Sequence, residues 1–148
     1  MISIFPPLIT PAEGPLSLMP IASRKIIPFK QSLKVLLVDD SPLDQIITGE
    51  MLRKLGHDVD IAENGTEAIQ AVEQKDYDLL IMDVQMPEMD GIQAARCIRS
   101  RHGSSFRIIF ATGSSPITYR KMCLDAGGDD FLTKPLTISG LDAAISRS

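Results

Sequence analysis

Three aspartates in this chain stand directly behind runs of aliphatic residues. Asp39 and Asp40 follow Val35-Leu36-Leu37-Val38, and Asp83 follows Leu79-Leu80-Ile81-Met82 and opens the segment Asp83-Val84-Gln85-Met86-Pro87-Glu88-Met89-Asp90-Gly91. Two parallel strands that end in acid deliver carboxylates to one rim of a sheet, the rim on which open α/β folds place their ligands. Carboxylates about 4 Å apart repel by roughly 4 kcal/mol at an effective dielectric near 20, so such a cluster calls for a counter-charge. All-oxygen ligands on a small rigid rim suit Mg²⁺, which keeps several waters and takes one or two carboxylates plus a phosphate oxygen. A divalent ion there would let one acid attack phosphorus by screening an incoming phosphoryl group. Thr112, at the end of Ile108-Ile109-Phe110-Ala111, and Lys134, just after Phe131-Leu132, fall on the same rim. A hydroxyl can donate to a phosphoryl oxygen and an ammonium can pair with it.

The elements that must hold these residues alternate in type. The runs from Val35, Leu79 and Ile108 are apolar throughout, as expected of strands covered on both faces. Val59 and Ile61 alternate with Asp58 and Asp60, which reads as a half-buried edge strand, and Phe131-Leu132 as a short fifth strand. Between them lie helical patterns. Ser41 is placed to cap the first, with Pro42 at its first position and Asp44 in its first turn; Leu43, Ile46, Ile47, Met51, Leu52 and Leu55 form its apolar stripe up to Gly56. Asn64 and Glu67 open the second, whose inner face is Ala68, Ile69, Ala71 and Val72. Ile92, Ala94, Ala95 and Ile98 face inward from the third. The fourth follows Pro116, uses Ile117, Met122 and Leu124 or Ala126, and stops at Gly127-Gly128; the last runs from Ile138 to about Ser146. Five βα units make a doubly wound parallel sheet, and centring the apolar strands gives the order 2-1-3-4-5. That order reverses between the first and third strands, where Asp39, Asp40 and Asp83 emerge.

Composition narrows the classes. The chain has 148 residues, 44% hydrophobic, enough for one domain with a core and a tail, and its net charge of −4 argues against a nucleic-acid surface of its own. No apolar stretch is long enough to span a membrane. Residues 1–32 read as a flexible arm or linker, broken by Pro6, Pro7, Pro11, Pro15, Pro20 and Pro28, and lack the order of a signal peptide. Cys97 and Cys123 fall within helical patterns and read as small buried hydrophobes in a reducing cytoplasm. His57 and His102 sit beside glycines and read as exposed; Asp90, Asp125, Asp129 and Asp130 read as turn or cap residues.

Asp39-Asp40, Asp83 with Met86-Pro87 and Asp90-Gly91 behind it, Thr112, Phe131 and Lys134-Pro135 together resemble the receiver domain of two-component response regulators. The resemblance covers 33–148, and the wording of the Asp83 loop and of Gly128-Asp129-Asp130-Phe131-Leu132-Thr133-Lys134-Pro135 is most similar to receivers of hybrid sensor histidine kinases. It implies a flavodoxin-like (βα)₅ fold and phosphorelay signalling. Asp83 would accept a phosphoryl group from phosphohistidine on a histidine kinase or phosphotransfer protein. Asp40, Asp83 and the backbone carbonyl of Gln85 would bind Mg²⁺, with Asp39 acting mainly through water. Thr112 and Lys134 would hold the phosphoryl oxygens, Phe131 would swing inward with Thr112, and Lys134-Pro135 would be cis. Gly113 stands where alanine is common, and Gln85 and Ser114 would flank the phosphate and influence its lifetime. The implied activity is Mg²⁺-dependent self-phosphorylation and dephosphorylation rather than enzymatic turnover, with a downstream protein effector. A stand-alone regulator and the receiver piece of a histidine kinase both fit.

Plainer readings stand beside this one. Asp39-Asp40 could merely cap the first helix, Phe131 could be core, and Lys134 a surface lysine. A phosphohydrolase with an aspartyl-phosphate intermediate, of the haloacid dehalogenase kind, places an acid two residues after its nucleophile; Gln85 and Ser41 occupy those positions here. A non-phosphorylated interaction domain would leave the acids unused.

Overall fold

A computed structural model describes residues 31–113 and 117–147; the proline-rich arm up to residue 30, and Ser114, lie outside the described residues. Among the described residues, strands and helices alternate: β1 (Lys34–Val38), α1 (Pro42–Lys54), β2 (Asp58–Ala62), α2 (Gly65–Gln74), β3 (Leu79–Asp83), α3 (Gly91–His102), β4 (Arg107–Thr112), α4 (Ile117–Asp125), β5 (Asp130–Thr133) and α5 (Ile138–Ser146). All strand pairings are parallel and the order is β2-β1-β3-β4-β5, as the hydrophobic pattern requires.

The two side-chain parities of the central strands feed two cores. Leu36, Val38, Leu80, Met82, Ile108 and Phe110 pack with residues of α2, α3 and α4 on one face. Val35, Leu37, Leu79, Ile81 and Ile109 pack with Leu52 of α1 and Leu141 and Ala144 of α5 on the other. Covering both faces is what makes β1, β3 and β4 apolar throughout.

The caps read from sequence are in place. The Ser41 hydroxyl accepts from the Asp44 N–H at 3.3 Å, Asn64 Oδ1 from Glu67 N–H at 2.8 Å and Asp90 Oδ1 from Gln93 N–H at 2.8 Å. Past the end of α1 the chain turns through Gly56 at φ 93°, a left-handed conformation that favours glycine.

Several side-chain placements differ from the pattern reading. In α1, Leu43, Ile46 and Ile47 face solvent while Thr48, Gly49 and Leu52 are buried. In α4, Ile117, Met122 and Leu124 are exposed, and the inward positions are Cys123, buried as its sequence reading expects, and Ala126 just past the helix, the alternative to Leu124. Ile61 of the edge strand β2 is exposed. His57 is buried, because its Nδ1 accepts the Leu33 N–H at 3.1 Å; His102 is half-buried against Phe106. Cys97 is half-buried, and both thiols are free.

The opposite end of the sheet from the acids is tied by Arg99 of α3. It donates to the carbonyls of Gly103, Phe106 and Gly127 and pairs with Asp129 at 2.9 Å. Asp129 and Asp130, which pairs with Arg147 at 2.7 Å, are therefore tethers of β5 rather than simple turn residues.

Candidate functional site

The register of the sheet decides which acids meet. Val38 pairs with Met82, so the next residues along, Asp39 and Asp83, emerge side by side at the C-terminal rim. Asp83 pairs with Ala111 on its other side, which sets Thr112 one residue further along that rim; Thr112 pairs with Thr133, directly before Lys134. The carboxylates of Asp39, Asp40 and Asp83 each offer an oxygen, and these lie within 4.8 Å of one another. Asp39 and Asp83 are buried and Asp40 is exposed, so the cluster opens to solvent on one side.

Each acid is held by local backbone as well as by strand geometry. Asp39 Oδ1 accepts the Ser41 N–H at 2.9 Å, and its backbone carbonyl accepts from the Gln45 amide at 2.7 Å. Asp83 Oδ1 accepts the Gln85 N–H at 3.3 Å. Behind it the loop returns so that Gly91 N–H donates to the Val84 carbonyl at 2.9 Å, seating the start of α3 against the end of β3.

Lys134 supplies the fixed positive charge. Its ammonium lies 2.9 Å from Asp39 Oδ2, 2.9 Å from Asp44 Oδ2 and 3.5 Å from Asp83 Oδ2. The Lys134 N–H donates to the Thr112 carbonyl at 2.7 Å, which pins the lysine to the tip of β4, and the Lys134-Pro135 peptide is cis as the resemblance implies. Burial works against the ammonium, but the bonds to Asp39 and Asp44 outweigh it and hold its pKa above the ordinary lysine value. Lys134 is therefore a cation, not a base.

Asp83 stands in the opposite situation. Burial pushes its carboxyl up to about 6; Lys134 opposes the rise, and the charges of Asp39 and Asp40 add to it. A carboxylate destabilised in this way gains when a cation or an electrophile shares its charge. The rim thus combines a cluster able to hold a divalent ion, a buried carboxylate whose charged form is disfavoured and a fixed ammonium, parts that suit phosphoryl transfer.

Of the residues singled out in the sequence, Asp39, Asp40, Asp83 and Lys134 converge. Thr112 is fully buried at the end of β4. Gln85 contributes its backbone, with an exposed side chain. Phe131 lies opposite Phe110 in β5, half-buried against the core, two residues down the strand from the level of Thr112. Asp44 is legible in the sequence only as a helix-start acid, yet it pairs with Lys134, and Gln45, which carries no sequence signal, donates to the Asp39 carbonyl.

Comparison with known proteins agrees with this geometry. The model of the response regulator receiver domain matches residues 35–146. Sensor protein GacS of Pseudomonas syringae pv. syringae is 40% identical over 108 residues, covering 70% of this chain and 12% of that protein. Hybrid signal transduction histidine kinase G of Dictyostelium discoideum is 39% identical over 127 residues, covering 83% of this chain and 4% of that protein. The chain thus spans only a small part of the length of these curated relatives. Among solved structures, the receiver domain of sensor histidine kinase PA1611 from Pseudomonas aeruginosa PAO1, with magnesium coordinated in its active-site cleft, superposes with a TM-score of 0.73 at 35% identity, covering 79% of this chain and 97% of that one. Chemotaxis protein CheY4 of Vibrio cholerae gives 0.74 at 27% identity, covering 79% and 98%. With the family model matching residues 35–146 and the fold and strand order in agreement, the chain belongs to the response regulator receiver domain family and serves two-component phosphorelay signalling.

Proposed function

We propose that Asp83 accepts a phosphoryl group from a phosphohistidine and that the modified rim biases a protein-binding surface. The observation that carries this reading is the convergence of Asp39, Asp40 and Asp83 with the ammonium of Lys134. An Asp83 carboxylate oxygen forms the new bond to phosphorus as the P–N bond of the donor breaks; the imidazole leaves with the electron pair and takes up a proton. Asp39, Asp40, Asp83 and the Gln85 carbonyl would hold Mg²⁺, which neutralises charge on the transferring group. Lys134 and the Thr112 hydroxyl would bind the phosphoryl oxygens, and Phe131 would follow Thr112 inward.

The donor is read as a histidine kinase or phosphotransfer protein, because the relatives include hybrid kinases. Leu43, Ile46 and Ile47 give this partner an apolar landing beside the rim, since Asp44 between them touches Lys134. Residues 1–32 are read as a proline-rich arm or linker, and the free thiols fit the cytoplasm. Among the described residues no helix is long and apolar enough to cross a membrane. A phosphohydrolase of the haloacid dehalogenase kind is disfavoured because Gln85 and Ser41, two residues after Asp83 and Asp39, stand where its second acid would be.

The test is phosphorylation by acetyl phosphate in Mg²⁺, read by intact mass. Wild type should gain one alkali-labile phosphoryl group and Asp83→Asn none; an adduct that persists in Asp83→Asn would refute the site.

A further inference from the structure

The ammonium of Lys134 has three N–H groups. In this structure it faces three carboxylates at unequal distances: Asp39 and Asp44 at 2.9 Å, and Asp83 at 3.5 Å. Asp39 belongs to the β1 rim and to the cation cluster. Asp44 belongs to neither; it projects from the first turn of α1 and sits outside the group whose oxygens lie within 4.8 Å. The resting lysine is therefore shared between the acid cluster and an acid beyond it.

We propose that Asp44 is a positioning residue that restrains Lys134 in the unmodified protein and is released when a phosphoryl group arrives. The inference rests on Asp83 as the acceptor. A phosphoryl group on Asp83 brings additional anionic oxygens to the one partner the lysine now holds least closely. The phosphoryl oxygens carry more charge than the carboxylate they replace and draw the ammonium toward Asp83, away from the contacts that hold it now. Asp39 is nearly sealed from solvent, with 3% of its side chain exposed, and lies in the acid cluster beside Asp83, so a lysine drawn toward Asp83 stays within its reach and water cannot take its place there. The Asp44 side chain is 38% exposed and can exchange the ammonium for water. Asp44 is thus the contact surrendered.

An interaction present before modification and lost after it shifts the equilibrium toward the unmodified form by its own free energy. Asp44 consequently acts as a brake on phosphorylation, set by one carboxylate on α1. Deleting its charge should free Lys134 for the acceptor and favour the modified state, the opposite of what loss of a purely structural contact does.

Beryllofluoride with Mg²⁺, a reversible occupant of the acyl-phosphate position, gives an equilibrium readout by titration calorimetry on the whole chain. Asp44→Asn should bind it more tightly, by up to about fivefold, the scale of a half-exposed ion pair. Asp44→Glu should return the affinity to within about twofold of wild type. Glu50→Gln removes the same charge from the same helix, where Glu50 pairs with Arg53 and not with Lys134, and should leave the affinity unchanged. A gain that persists at high salt separates the contact from diffuse repulsion of the anion. Unchanged or weaker binding by Asp44→Asn, or an equal gain in Glu50→Gln, would overturn the brake while leaving Asp83 as acceptor. If wild type itself bound no beryllofluoride, the acceptor reading would fall, and the brake with it.

Discussion

A Cβ built on Gly91 would lie 2.0 Å from the carbonyl oxygen of Asp83. The first residue of α3 is thus pressed against the backbone of the β3 tip, and only a hydrogen fits between them. This gives the Asp90-Gly91 pair a physical meaning: Asp90 caps the helix and Gly91 lets the capped end reach β3. Gly91→Ala should push β3 and α3 apart, cost about 1–3 kcal/mol by overpacking, and displace Asp83 from Lys134. Chemical denaturation and acetyl phosphate labelling check the two consequences; an alanine variant with wild-type stability and labelling would show that the contact relaxes freely.

Lys134 neutralises a buried carboxylate, so its removal should be felt first in the absence of metal. Lys134→Met leaves Asp39 buried without its cation and should destabilise the metal-free protein by about 2–4 kcal/mol. Added Mg²⁺ should recover more stability in the variant than in wild type, because the ion binds a more negative cluster and stabilises the folded state by mass action. Denaturant titrations with and without Mg²⁺ measure this; equal Mg²⁺ responses in the two proteins would separate the lysine from the cation site.

The raised pKa of Asp83 makes a signed prediction about pH. Its carboxyl stands at about 6 against an ordinary 3.8, with burial the largest cause. The folded protein therefore binds this proton more tightly than the unfolded chain does. The stability this gives is full below the unfolded pKa and is lost as pH rises through the folded pKa. Asn cannot ionise, so metal-free Asp83→Asn should match wild type near pH 4 and exceed it near neutral pH by about 1–3 kcal/mol. Calorimetry in chelator gives the comparison; a difference that does not change with pH would rule out charge burial as its cause.

The sequence made the sheet legible because fully covered strands leave little room for polar residues, as in Leu79-Leu80-Ile81-Met82, and because caps such as Ser41 and Asn64 act on neighbours within the chain. Strand order followed from the same signal, and with it the meeting of Asp39 and Asp83. What escaped is long-range. His57 looks like a post-helix surface residue until Leu33, 24 positions earlier, donates to its ring. Asp44 looks like a helix-start acid, and its partner Lys134 is 90 positions away. The inward faces of α1 and α4 are legible only in part, for another reason. Isoleucine and leucine at helical spacing mark an apolar stripe, but nothing in that spacing tells a stripe that meets the sheet from one left for a partner. In α1 the later part of the stripe does pack, with Leu52 in the core and Met51 and Leu55 beside it, while the rest of the buried face is Thr48 and Gly49, which weigh little in a hydrophobic pattern.

The exposed stripe of α1 separates the chemistry of the rim from access to it. Leu43, Ile46 and Ile47, spaced three and four residues apart on one helical face, are 64%, 63% and 44% exposed. They flank Asp44, which reaches Lys134, so a partner that brings a phosphohistidine to Asp83 from this side must cover them. Ile46→Asp changes an exposed side chain and should alter stability by no more than about 0.5 kcal/mol. Labelling by acetyl phosphate, which needs no docking, should stay near the wild-type rate. Transfer from a histidine-phosphorylated partner should fall by about tenfold or more, because an apolar contact is replaced by a charge desolvated at an interface. Stopped-time transfer assays with both donors decide the matter. A parallel loss with both would place the effect in the rim itself, and unchanged transfer with both would assign the stripe to some other encounter.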